Sequence, residues 1–209
     1  MARGGFPMSR PMRIGVFGGT FDPPHLGHLI LAAEAHFQLG LDKVLWVLTP
    51  DPPHKRNMPH TPWPRRAAMV LAAIGDNPAF ELSTVDIERP GPHYAVDTMR
   101  LLRASQPHAQ WVYLMGGDSL HGLPTWHRVR EFLDLCDELG IMRRPGDEID
   151  LTIAESCLPG VVSKVRFVNA PLLQIAAREL RERAAKGAPI RYYLPEAVYA
   201  LIQEWRLYR

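Results

Sequence analysis

Cysteine is scarce in this chain. Its two copies, Cys136 and Cys157, stand in neither metal-ligand nor Cys-x-x-Cys spacing. That excludes a disulfide framework, a zinc motif and a dithiol redox motif, and it points to a reducing compartment with inert thiols. Long apolar runs are missing too. None approaches the roughly 18 residues that span a bilayer, and the opening stretch Met1–Pro11 has Arg and Gly but no apolar core of a secretion signal. A cytoplasmic protein with no membrane partner is expected. Excess charge of either sign is also absent: Lys+Arg 24 against Asp+Glu 22 leaves +2. The basic residues are scattered, so nucleic acid is not indicated as a partner, and local anion sites are favoured over an extended basic groove. No internal repeat or low-complexity segment occurs.

What the chain does have is material for a core, 46% apolar residues against 22% charged. Met1–Pro11 reads as a flexible lead-in and residues 12–209 as a single domain, with a helical C-terminal part from about 170 to 209. Arg13–Phe17 is a β-prone run that stops at Gly18-Gly19. Leu26–Leu39 carries apolar residues at helical spacing and ends at Gly40. Lys43–Leu48 is a nearly unbroken apolar run, as a strand covered on both faces requires. Strand, glycine turn, helix and strand make a βαβ unit, so these two strands should be parallel.

The alternation continues. Helices are predicted at Pro64–Ile74, Ala95–Ala104, Val129–Leu135, Pro171–Ala185 and Pro195–Trp205, with extended segments at Phe80–Ile87, Trp111–Met115, Glu138–Met142 and Val165–Val168. The fold class is α/β, a doubly wound, mainly parallel sheet with helices on both faces. In such sheets ligands sit beyond the carboxyl ends of the strands, so the loops after Phe17, Leu48 and Met115 are the ones to search. The proline-rich stretch Thr49–Pro64 lacks periodicity and has the length of a functional lid or a disordered stretch.

The chemistry concentrates after the first strand, in Gly18-Gly19-Thr20-Phe21-Asp22-Pro23-Pro24-His25-Leu26-Gly27-His28. It is neither the Gly-x-Gly-x-x-Gly dinucleotide fingerprint nor a Walker loop. The glycines permit a close backbone turn, and Thr20 and Asp22 are able to cap the structure that follows. His25 and His28 fall on one side of a helix start, with Gly27 leaving room between them. Free N–H groups and a partial positive charge at a helix N-terminus suit phosphate.

This segment resembles the signature of the nucleotidyltransferase superfamily that carries a His/Thr-x-Gly-His motif. Four further stretches narrow the resemblance to the bacterial nicotinate mononucleotide adenylyltransferase family. These are Pro53-His54-Lys55, the run Glu88-Arg89-Pro90-Gly91-Pro92-His93-Tyr94-Ala95-Val96-Asp97-Thr98, the turn Met115-Gly116-Gly117-Asp118-Ser119 with Trp126 beyond it, and Arg144-Pro145-Gly146; the tail Leu207-Tyr208 also fits. The resemblance implies a Rossmann-like fold and the joining of ATP to nicotinate mononucleotide with Mg²⁺, giving nicotinate adenine dinucleotide and pyrophosphate. No metal ligands on the protein are implied, and monomer and homo-oligomer both remain open.

It also implies roles. Gly18, Gly19, Thr20, Phe21, His25 and His28 would face ATP. The two histidines would donate hydrogen bonds to phosphate instead of abstracting a proton, because a phosphate monoester with a second pKa of about 6 is already largely deprotonated at neutral pH. Lys55 would close over the triphosphate as a point charge. Trp126 would stack on the pyridine ring, Tyr94 and the backbone at Ala95 would receive its carboxylate, and Asp118 would bind a ribose hydroxyl. Asp22 and Arg144 would complete the acceptor side. His93 and His121 read as surface residues.

One stretch departs from the family. Where Ile-Ser-Ser-Thr-x-Ile-Arg is usual, this chain has Ile175-Ala176-Ala177-Arg178-Glu179-Leu180-Arg181. Three hydroxyls are replaced by strong helix formers, so the helix is expected to start early and fill the space of a phosphate-binding loop. Arg178 and Arg181 are then the expected ATP contacts. The departure keeps two other readings open: a transferase of the same superfamily with another acceptor, such as nicotinamide mononucleotide, and a non-catalytic nucleotide-binding regulator.

Overall fold

The computed structural model describes residues 10–51, 60–143, 149–171 and 173–209. Six parallel strands form one sheet: β1 (Arg13–Gly19), β2 (Lys43–Leu48), β3 (Phe80–Ser83), β4 (Gln110–Gly116), β5 (Glu138–Arg143) and β6 (Val165–Asn169). Their order is β3-β2-β1-β4-β5-β6. The chain runs outward from β1 in one direction, returns, and runs outward from β4 in the other. Loops at the carboxyl ends of β1 and β4 therefore diverge, leaving the crevice where doubly wound sheets bind ligands.

The helices α1 (Leu26–Gln38), α2 (Trp63–Ile74), α3 (Ala95–Ser105), α4 (Gly117–Gly122), α5 (Val129–Leu135), α6 (Leu151–Cys157), α7 (Val161–Lys164), α8 (Ala177–Ala185) and α9 (Glu196–Glu204) cover both faces. Both faces of the strands are buried, which is why they read as apolar runs. Along β1, Ile14 and Val16 enter the cluster on one face, with Val96, Met99, Trp111 and Phe132, while Phe17 joins Trp46, Ala32 and Val70 on the other. A third cluster ties α8 and α9 to α2 through Met69, Leu180, Val198 and Ile202. No helix among the described residues is long and apolar enough to cross a membrane.

Two predicted segments needed correction. The extended run Phe80–Ile87 is a strand only to Ser83. Beyond it the chain turns, with the N–H groups of Ile87 and Glu88 both donating to the Thr84 carbonyl. The helix expected from Pro171 begins at Ala177, after an extended Ala176 (φ −121°, ψ 133°). Ile175 is drawn into the α2/α8/α9 cluster, and that packing outweighs the helix propensity of the two alanines.

Candidate active site

A cavity of about 530 Å³ opens at the carboxyl ends of the strands. It draws Gly18, Gly19 and Thr20 from the end of β1, Thr49 from the end of β2, Asp86 from the turn after β3, and Ser119 and Trp126 from the segment after β4. His93, Tyr94 and Ala95 supply another wall. Six expected site residues, Gly18, Gly19, Thr20, Tyr94, Ala95 and Trp126, thus meet in one space. Asp118 is exposed in the first turn of α4 and does not line it. Lys55 and Arg144 lie outside the described residues.

The Gly18–His28 segment is tight for reasons of packing more than of glycine backbone freedom. Among its residues the positive φ falls on Phe21 (φ 47°), and Asp22-Pro23 is cis. A Cβ at Gly19 would lie 2.8 Å from the Phe21 ring, and one at Gly27 would lie 3.1 Å from His25 Nδ1. The glycines therefore make room for neighbouring rings, against the expectation of a glycine turn.

His25 caps α1 and is buried. Desolvation pushes its imidazole down to about 4, so the ring is neutral at physiological pH. His28 stacks on it with ring centroids 3.7 Å apart, and Phe21 meets His28 edge-on at 5.2 Å. The His25 backbone N–H donates to His28 Nδ1 at 3.2 Å. That bond assigns the proton of a neutral His28 to Nε2.

Asp22 turns out to be a buried hub. Its carboxylate, 2% exposed, accepts from the Tyr208 hydroxyl (2.6 Å) and the Thr61 N–H (3.0 Å), and its carbonyl accepts from Arg181 (2.7 Å). Burial beside Asp22 drives the Tyr208 phenol well above its usual range, so it stays a donor. Arg181 thus reaches the first motif from α8. Arg178 does not: its side chain is mostly exposed and pairs with Glu182 at 3.4 Å.

Several functional residues escaped the sequence reading. Arg66, 1% exposed, donates to the carbonyls of Thr20, Thr49, Pro50 and Thr61, fastening the loops after β1 and β2 to the start of α2. Helical periodicity gives no sign of this, because a buried arginine looks like a surface one. His93, expected at the surface, is buried. Its ring nitrogens lie 3.2 Å from the Asp51 carbonyl and 3.3 Å from that of Arg89. His127 stacks on Tyr94 at 4.2 Å, and Tyr113 meets Trp126 edge-on at 5.9 Å. Asp86 accepts from Thr98 (2.7 Å) and from Arg89 (2.9 Å). A polar residue within an apolar strand, such as Tyr113, was a readable signal; Asp86, taken as part of a strand, was not.

The profile of the cytidylyltransferase-like family matches residues 16–183. A protein of Thermomicrobium roseum named "Probable nicotinate-nucleotide adenylyltransferase" is 46% identical over 197 residues, covering 94% of this chain and 92% of the relative. One of Synechococcus sp. is 40% identical, covering 97% of each. The chain belongs to the nicotinate-nucleotide adenylyltransferase family. Its fold is also that of the Plasmodium falciparum nicotinic acid mononucleotide adenylyltransferase solved with NaAD, at TM-score 0.75 and 18% identity over 94% of this chain and 97% of that one.

Proposed function

We propose that this chain transfers the adenylyl group of ATP to nicotinate mononucleotide, forming nicotinate adenine dinucleotide and pyrophosphate. The observation that carries the reading is an aromatic-walled cavity lined also by Gly18, Gly19 and Thr20, the start of the Gly18–His28 segment. The acceptor's ring and the reacting phosphates find places side by side.

The acceptor phosphate attacks the α-phosphorus of ATP, a P–O bond forms there, and the bond to the β-phosphate breaks to release pyrophosphate. No base is needed, since the nucleophile is already an anion. The work is alignment and charge stabilisation. His28 and the neighbouring His25 donate to the reacting phosphates, and the start of α1 adds the field of a helix terminus. Arg181, which donates to the Asp22 carbonyl, keeps the ATP contact that its motif implies. Mg²⁺ binds chiefly through substrate phosphates with few protein ligands. Brought in with ATP, it would supply neutralisation of phosphate charge.

On the acceptor side, α3 begins at Ala95 with Tyr94 as an extended N-cap and no side-chain cap. Its first N–H groups are left for a carboxylate. Trp126, braced by Tyr113 and by Phe132 at 5.2 Å, offers the pyridine a stacking surface. Asp118 takes a ribose hydroxyl, while Lys55 and Arg144 keep the roles that their motifs imply. The test is pyrophosphate release with nicotinate or nicotinamide mononucleotide as acceptor. A kcat/KM about tenfold higher for nicotinate is expected from losing a charge-assisted bond; equal values would contradict the carboxylate site.

A further inference from the structure

The acceptor proposed above carries a ring nitrogen bonded to ribose, so its pyridine is a permanent cation whatever the pH. The cavity is built for such a ring. Among its described lining residues there is no lysine or arginine, and the carboxylate is that of Asp86, 2% exposed. Arg89 pairs with Asp86 at 2.9 Å but does not itself line the cavity, so the ion pair presents its anionic end inward. All the hydrogen bonds that Asp86 accepts, from Thr98 and from both Arg89 nitrogens, fall on Oδ1. Its second oxygen is left without a partner among the described residues. Around it stand the π-systems of Tyr94, Tyr113 and Trp126. Aromatic faces and one buried carboxylate are the elements that recognise an organic cation.

We propose that Asp86 is a specificity-determining residue that selects the positively charged pyridinium ring, while the N-terminus of α3 takes the ring's carboxylate. The two ends of a zwitterionic ring are thus read separately. The Asp86 carboxylate attracts a cationic ring. An uncharged ring of the same shape gains nothing from it. This assignment rests on the reading of the cavity as the acceptor site.

The experiment compares two probes that share size and carboxylate and differ in ring charge: N-methylnicotinate and 3-methylbenzoate. Their affinities for the intact wild-type protein are measured by ligand-observed NMR. N-methylnicotinate is expected to bind about tenfold more tightly; equal affinities overturn the proposal. In Asp86→Asn the advantage should shrink about fivefold while 3-methylbenzoate binding stays unchanged. A parallel loss of both probes would mean that Asp86 only holds the wall. Should that variant not fold, Arg89→Gln leaves Asp86 less neutralised and should enlarge the preference, and an unchanged preference counts against it. Absence of turnover with nicotinate mononucleotide would sink the proposed reaction, yet the probe comparison would still decide whether the cavity reads ring charge.

Discussion

His25 is neutral because it is buried, and the consequence reaches beyond catalysis. Its folded-state value of about 4 lies below the ordinary 6.5, so the unfolded chain binds the proton more readily. Stability is therefore unaffected above about pH 6.5 and falls as pH drops from there toward 4, by roughly 2 kcal/mol between pH 7 and 5. Urea unfolding at the two pH values should show this loss, and His25→Gln should flatten it. His28 has a different task. It is fixed by the His25 stack, the Phe21 edge and the bond to Nδ1. Removing a preorganised donor of this kind costs about a hundredfold or more in turnover. His28→Ala should lose that much in kcat with little change in the affinity for either substrate; a near-normal rate would refute its place at the reacting phosphate.

The elements of the site are held together by contacts that join loops instead of neighbouring residues. Arg66 gathers four carbonyls from three segments. Arg66→Ala leaves them unpaired in a dry interior and should destabilise by about 3 kcal/mol or more in chemical denaturation. The C-terminal tail is closed by Tyr208 on Asp22. Tyr208→Phe removes the donor and should cost about 1–3 kcal/mol. Steady-state kinetics should also separate the two arginines of α8. Arg181→Ala is expected to raise KM for ATP, whereas Arg178→Ala, already in solvent beside Glu182, should leave it nearly unchanged.

These contacts also mark what was legible in the sequence. The strands and the main helices follow periodicity, since Lys43–Leu48 must be buried on both faces and Leu26–Gln38 on one. The motif residues were legible because Gly, His and Asp-Pro at fixed offsets serve few other ends. Arg66, Asp86, His127 and the inward His93 were not, for their roles arise where segments distant in sequence cross. The late start of α8 belongs to the same class: Ile175 obeys a third packing cluster and not the helix propensity around it.

At the scale of the whole molecule, strand order β3-β2-β1-β4-β5-β6 puts the switch point between β1 and β4. The Gly18–Thr20 end of one and the Ser119–Trp126 segment of the other border a single cavity. Tyr94, Trp126 and the start of α3 wall that opening. His25 and His28 lie further along the segment that begins at Gly18, and Asp22 beside them is tied to α8 through Arg181. The proposed reaction is attack at the α-phosphorus, and this is open to direct test with ATP labelled at that atom, in the presence of nicotinate mononucleotide and Mg²⁺. The label is expected in a dinucleotide, with unlabelled pyrophosphate released in equal amount. Label recovered as free AMP or ADP, or no turnover at all, would contradict the account.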